Sequence, residues 1–150
     1  MNHKELDGNT FSAYAYEANS FISADINEFE EILMMYSSFE KKGNSYISKS
    51  ECNNELQVTV NHQDEILQSI SITVSKYEGE YSRENLFLDI YYLVKYINEN
   101  YLYILHDNQS YQEIFDELMI NDYVRIEFEK FEIYFVYMYE FASAEIISKN

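Results

Sequence analysis

The chain switches between two hydrophobic periods. Ile26, Phe29, Leu33 and Tyr36 recur at helical spacing, with Ile32 beside them and Glu28, Glu30 and Glu31 on the opposite side. Asp25, followed three residues on by Glu28, has the form of a capping pair. Lys41-Lys42-Gly43 supplies the cations and the glycine that commonly end a helix. The spacing predicts a helix over about 24–41. From residue 45 to 77 the period falls to two. Leu56, Val58 and Val60 alternate with Gln57 and Thr59, and Ile70, Ile72 and Val74 alternate with Ser69, Ser71, Thr73 and Ser75. Such alternation predicts a half-buried antiparallel pair, linked by Asn61-His62-Gln63-Asp64. Its polar face is rich in Ser and Thr and nearly free of charge.

Glu78-Gly79-Glu80 reads as a turn. Leu86, Ile90, Leu93, Val94, Ile97, Tyr101, Leu102 and Leu105 then form an apolar stripe behind Ser82, a capping residue. A helix over about 83–104 is expected, although Tyr101 to Leu105 also has strand propensity. Ser110-x-x-Glu113 is a capping box that opens a second helix to about Met119. Val124, Ile126 and Phe128 alternate with Arg125, Glu127 and Glu129, and Glu129-Lys130-Phe131 reads as a turn. Ile133 to Phe141 is apolar on both faces, as in a central or covered strand. Phe11 to Tyr16 alternates loosely, as in a short strand. Residues 1–10 and 143–150 are polar and read as frayed ends. The sum is one α+β domain over 1–150: an antiparallel sheet of four to six strands with two or three helices packed on one face.

Charge changes this picture most. The chain carries 27 Asp and Glu against 10 Lys and Arg, a net charge of −17. It is also 47% hydrophobic and 17% aromatic, so it has material for a core, and the charge belongs on a folded surface. A folded polyanion repels nucleic acid and anionic membranes and attracts basic protein surfaces. No stretch approaches the ~20 apolar residues of a membrane span, and Met1 to Phe11 lacks a signal pattern. The single Cys52 excludes an internal disulfide and reads as an incidental surface or edge thiol. A cytoplasmic protein is expected. Abundant Asn, Ile, Tyr, Phe and Lys match AT-rich coding, as in a low-GC bacterium, its phage or its plasmid.

Candidate chemistry is sparse. His62 and His106 each lie near a carboxylate, but no paired spacing converges ligands on a metal, and His3 sits near the terminus. Gly8, Gly43 and Gly79 are isolated, so no phosphate-binding loop is built. Asp107 to Glu113 departs from a calcium loop, with Gln112 at the position that requires Gly and Leu118 at the position of the closing Glu. No cofactor or metal is expected. Carboxylate pairs such as Glu30-Glu31 and Asp116-Glu117 arise readily in so acidic a chain.

The acidic surface itself remains. Glu28, Glu30 and Glu31 on the first helix, Glu113, Asp116 and Glu117 on the third, and Asp122, Glu127 and Glu129 around a strand form rows of carboxylates. Helical carboxylates at i, i+3 and i+4 lie about 5–6 Å apart, close to the spacing of successive phosphates. Tyr92, Tyr96 and Tyr123, with Tyr103 and Tyr134, are the interface-type aromatics beside them. A solvated acidic face kept for solubility is the competing reading, yet −17 lies far beyond the ~2–8 that solubility asks of a small domain. In size, acidity and coding bias the chain resembles, as a class, anti-CRISPR and anti-restriction proteins that mimic DNA. That class resemblance implies a non-enzymatic inhibitor of a basic nuclease or CRISPR effector, with no direct nucleic-acid binding. An immunity protein that neutralises a nuclease toxin is the alternative, and a small carboxylate-dependent hydrolase is a second one.

Overall fold

The computed structural model describes residues 4–7, 25–64, 66–76, 82–102, 108–127, 131–138 and 140–148. The elements run β1 (Lys4–Asp7), α1 (Ile26–Tyr36), β2 (Glu40–Lys42), β3 (Ser45–Lys49), β4 (Asn54–Gln63), β5 (Ile66–Lys76), α2 (Arg83–Ile97), a π turn (Asn98–Leu102), α3 (Asn108–Asn121), β6 (Tyr123–Glu127), β7 (Phe131–Met138) and β8 (Phe141–Ser148). The strands form one sheet in the order β1-β6-β7-β8-β5-β4-β3-β2. Seven of them pair antiparallel, and β1 joins the β6 edge in parallel. The fold is α+β as the periodicity predicts, with more strands than the expected four to six.

One line of side chains explains the architecture. Val124, Phe135, Ala144, Ile72, Val58 and Tyr46 lie opposite one another in successive strand pairs. All are buried. Flanking residues repeat the pattern, with Ile126, Ile133, Ile146, Ile70 and Val60 in the next line. Burial of each large aliphatic side chain contributes ~1.5–3 kcal/mol, so this face must be covered. Helix α2 covers β4, β5 and β8, and α3 covers β6 and β7. Helix α1 lies against β2 and β3 through Glu30, Lys41 and Tyr46. Ala142 and Ala144 of β8 are small where α2 lies over the sheet. The opposite face carries Ser69, Ser71, Thr73 and Ser75, all half-buried, with no helix over them among the described residues.

Several boundaries differ from the sequence-based expectation. Helix α1 ends at Tyr36 rather than near 41, because Ser37 turns extended (φ −156°, ψ 170°). Phe39 is then buried, and Lys41 and Lys42 enter β2 instead of capping a helix. Gly43 at φ 63° makes the β2–β3 turn, a left-handed conformation that costs glycine little. Asp25 does cap α1, but it accepts from the Asn27 N–H at 2.8 Å. Ser82 caps α2 as expected, accepting from Asn85 N–H at 3.2 Å. Helix α3 starts at Asn108, so Ser110 lies inside its first turn and is not its cap. Asn61, His62 and Gln63 extend β4 through a bulge, and the chain turns at Asp64 (φ 57°).

Two expectations are overturned. Residues 143–148 are not frayed: they belong to β8, between β7 and β5. Residues 4–7 are likewise a strand, paired to β6. The apolar run Ile133 to Phe141 is divided by Glu140 (φ 72°) into the end of β7 and the start of β8. β7 is central, between β6 and β8, but only its Ile133–Phe135 side is covered. The expected strand at 11–16 and the turns at 78–80 and 129–130 lie outside the described residues.

Two polar devices hold the helices to the sheet. The buried Tyr46 donates its hydroxyl to the Glu30 carboxylate at 2.6 Å, and Lys41 Nζ donates to the same oxygen at 3.0 Å. These bonds, the one from Tyr46 first, hold the Glu30 carboxyl below the usual carboxylate range. Burial and the bond to Glu30 push the Tyr46 phenol up. On α2, Asp89 accepts from Ser50 Oγ at 2.5 Å and from Asn54 Nδ2 at 2.8 Å. Ser50 Oγ in turn accepts from the Cys52 and Asn54 N–H groups, which fixes the β3–β4 loop on the helix. Cys52 is free and half-buried there, and burial raises its thiol pKa, with Asp89 adding to the effect.

Tyr46→Phe should lower unfolding free energy by about 1 kcal/mol, because the lost bond is charge-assisted but its acceptor is partly hydrated. A carboxyl with a depressed folded pKa contributes stability above its unfolded value and loses it as pH falls through the folded one. The Tyr46→Phe difference should therefore be full at pH 7 and fade as pH falls through the lowered folded pKa of Glu30, as read in urea titrations. Asp89→Ala should cost about 2–3 kcal/mol by the same measurement, since it leaves the buried Asn54 amide short of its acceptor.

Candidate partner-binding surface

The three helices lie side by side on one face of the sheet. α1 and α2 run antiparallel: Tyr96 donates to the Ile32 carbonyl at 2.6 Å, and Tyr101 donates to the Asp25 carbonyl at 3.0 Å. Tyr36 packs on Tyr96 with ring centroids 4.8 Å apart. On the other side Tyr91 of α2 meets Phe115 of α3 at 5.2 Å, and Arg83 donates to the Met119 carbonyl at 2.8 Å. Arg83 also lies over the Tyr137 ring at 4.5 Å and 3.7 Å from Asp122. α2 is therefore the centre of the layer, with α1 and α3 as its flanks.

The outer surface of this layer has an ordered composition. Glu28 and Glu31 are exposed on α1, and Glu113 and Asp116 are exposed on α3. Glu84 and Glu99 are exposed towards the two ends of α2. The cations within the three helices are Arg83 and Lys95, both half-buried. Exposed apolar side chains stand among these carboxylates. Leu88 and Tyr92, one helical turn apart on α2, are 47% and 54% exposed. Met35 at the α1 end is 83% exposed, and Met119 on α3 is 49% exposed. Leu88 and Tyr92 thus form a short apolar ridge on the central helix, with carboxylates on both flanking helices. That is the composition of an interaction surface: a desolvatable centre and a charged rim.

The expected site residues divide accordingly. Glu28, Glu31, Glu113, Asp116 and Tyr92 share this face and point outward. Glu30 is drawn to the β2–β3 edge by Tyr46 and Lys41 and serves to hold the fold. Glu117 is half-buried and accepts from Asn121 at 2.7 Å, while Asp116 accepts from Gln112 at 2.8 Å. Asp122 stands at the α3–β6 turn with φ 63°, near Arg83. Tyr96 spends its hydroxyl on the Ile32 carbonyl. Tyr123 and Glu127 are on the opposite side of the molecule, on the open face of the sheet, where Arg125 lies 3.5 Å from Glu127. Glu129, Tyr103 and His106 lie outside the described residues. His62 has its Nδ1 2.7 Å from the Asp64 carbonyl in the β4–β5 turn. Of the carboxylates expected from sequence, Glu28, Glu31, Glu113 and Asp116 thus share one split face, while Glu30, Asp122 and Glu127 lie apart from it.

Met35, Leu88 and Met119 were not singled out in the sequence. A signal was present: Leu88 falls off the stripe set by Leu86, Ile90, Leu93 and Ile97, and Met35 falls off that of Phe29 and Leu33. Among the described residues no three of His, Cys, Asp or Glu gather as a metal site. No described helix is long and apolar enough to cross a membrane.

No protein-family model, curated protein or solved structure matches this chain.

Charge reversal at Glu28, Glu31, Glu113 and Asp116 should leave the circular dichroism spectrum intact and change the unfolding midpoint little. Exposed substitutions are usually within ±0.5 kcal/mol, and Glu28 in the first turn of α1 and Asp116, bonded by Gln112, add about 0.3–1 kcal/mol. A large loss of stability would assign these carboxylates to the fold rather than to a surface.

Proposed function

We propose that this protein is a non-enzymatic acidic inhibitor, of the kind carried by phages and mobile elements, that binds a basic nucleic-acid-handling protein and blocks its DNA or RNA site. One observation carries the reading: exposed carboxylates flank an apolar ridge on the helix layer, and the only cations in those helices are half-buried. Packed helices lie about 8–10 Å apart, so the two carboxylate flanks are separated by roughly 18 Å. Two negative rows at that separation are of the same order as the phosphate rows bordering a major groove about 12 Å wide. A groove that binds nucleic acid presents cations at such spacing, and the ridge supplies the apolar contacts that make capture last.

Partition of roles follows from the physics. The flanking carboxylates act at long range and set the rate of encounter, while Tyr92 and Leu88 act at contact and set the rate of escape. Reversal of Glu113, Asp116 and Glu117 together should slow association about tenfold and change dissociation much less. Tyr92→Ala should do the reverse, with dissociation faster by about tenfold or more. Both are read by biolayer interferometry on the captured partner.

The founding experiment is capture of partners from a host lysate at low and high salt, with identification by mass spectrometry. The expected partner is a basic nuclease or CRISPR effector that competitor nucleic acid displaces. Its binding should weaken steadily as salt rises, because exposed charges are screened beyond about 8 Å at 0.15 M. Capture of a toxin nuclease encoded beside this gene would make the protein an immunity protein acting through the same surface. Salt-insensitive capture, or capture unaffected by the four-carboxylate reversal, would overturn the reading.

A further inference from the structure

The relief of the helix layer narrows what its partner holds. Helix α2 lies between α1 and α3 on one face of the sheet. Its outward row, continued by the π turn, is Glu84, Leu88, Tyr92 and Glu99. Leu88 and Tyr92 are 47% and 54% exposed, and Met119 on the flanking α3 is 49% exposed. The centre of the layer is therefore level with its flank, and no trench separates the carboxylates of α1 from those of α3. Tyr92 also brings a hydroxyl to this centre. Its ring meets Tyr91 edge-on at 5.4 Å, and no hydrogen bond engages its hydroxyl among the described residues.

We propose that the partner is a protein that holds an A-form, RNA-containing duplex, and that Tyr92 sets its hydroxyl where such a duplex presents a 2′-hydroxyl. This rests on the inhibitor reading above and narrows it. Width alone does not choose a duplex, because carboxylate rows roughly 18 Å apart suit any wide groove. Depth does choose. The major groove of B-DNA is about 8.5 Å deep, and a protein that reads it inserts a helix or a β-ribbon between the phosphate rows. Leu88 and Tyr92 stand where that element enters and would collide with it. The wide groove of an A-form duplex is the minor groove, which is shallow and displays 2′-hydroxyls beside the base edges. Proteins hold that groove through its phosphates and 2′-hydroxyls, without deep insertion.

Each part of the layer has its counterpart in such a duplex. Glu28 and Glu31 on one flank, and Glu113 and Asp116 on the other, take the place of phosphates on two strands. The Tyr92 phenol both donates and accepts, as a 2′-hydroxyl does. Leu88 supplies contact area beside it and excludes water. A cationic channel that grips a duplex by its A-form backbone, without reading its sequence, is complementary to this arrangement. A single-strand site fits less well. It follows one phosphate backbone and stacks successive bases on aromatic rings, whereas the carboxylates here occupy two flanks.

Competition on the captured partner tests this. The complex on immobilised full-length chain is titrated at fixed salt with competitors of one sequence, about 20 nucleotides long. These are single-stranded RNA and the DNA–DNA, RNA–DNA and RNA–RNA duplexes. An RNA-containing duplex should displace the partner at a concentration about tenfold or more below that of DNA–DNA. Tyr92→Phe keeps the ring and removes only the hydroxyl. It should weaken partner binding about fivefold, with an unchanged circular dichroism melt. Displacement by DNA–DNA or by the single strand that equals or exceeds that of both RNA-containing duplexes would overturn this inference and leave the inhibitor reading standing. A partner indifferent to Tyr92→Phe would do the same. Displacement by none of the four competitors, or the absence of any salt-sensitive basic partner, would overturn both.

Discussion

The structure depends on a sheet that is apolar on one face only. The line from Val124 through Phe135, Ala144, Ile72 and Val58 to Tyr46 has to be covered. Three helices side by side are the covering. Their inner stripes are taken up by this burial, so the acidic residues between the stripes are displayed outward. Outward display of the helical carboxylates therefore follows from the period-two pattern of the strands and the 3.6-residue pattern of the helices. It needs no further cause in the fold. What the fold does not require is that Leu88, Tyr92, Met35 and Met119 stand exposed among those carboxylates.

A chain this acidic works against its own compactness, since like charges repel in the folded state. The described structure meets this with local pairings rather than with a general balance of charge. Glu30 is bonded by Tyr46 and Lys41, Asp89 by Ser50 and Asn54, and Glu132 by Arg125. In each case the carboxylate that gains partners joins two elements: α1 to β3, α2 to the β3–β4 loop, β7 to β6. Exposed pairs such as Lys95–Glu99 at 3.9 Å add little, because water and salt already screen them. Exposed carboxylates such as Glu28, Glu31 and Asp116 lie on the outer helix surface, where hydration is least disturbed.

Legibility in the sequence followed the strength of local signals. β4 and β5 were readable because Leu56-Val58-Val60 and Ile70-Ile72-Val74 are β-branched or large and alternate strictly with polar residues. β8 was not, because its inward residues are Ala142, Ala144 and Ile146, and alanine carries almost no hydrophobic contrast with Ser143. Lys4–Asp7 pairs only through its backbone register with β6, which no local pattern announces. The end of α1 was misplaced because Lys41-Lys42-Gly43 is equally good chemistry for a helix stop and for a short edge strand with a tight turn. Of the surface, carboxylate positions were legible and their grouping was not. Glu30 and Glu31 are adjacent in sequence, yet one is bound to the β2–β3 edge and the other faces solvent. Only tertiary packing separates them.

The two faces of the molecule also differ in what charge can do for them. On the helix layer the carboxylates outnumber their cations, so the field extends beyond the surface and acts on a partner before contact. On the sheet face Arg125 bonds Glu132 at 2.7 Å and lies 3.5 Å from Glu127, so its charge is spent inside the fold while Glu145 stands exposed on the same face. Acidity for solubility alone would gain nothing from apolar side chains such as Leu88 and Tyr92 standing exposed between two helices of carboxylates. An apolar centre inside an uncompensated rim is what a chain requires if it must meet a basic surface at a distance and then hold it at contact.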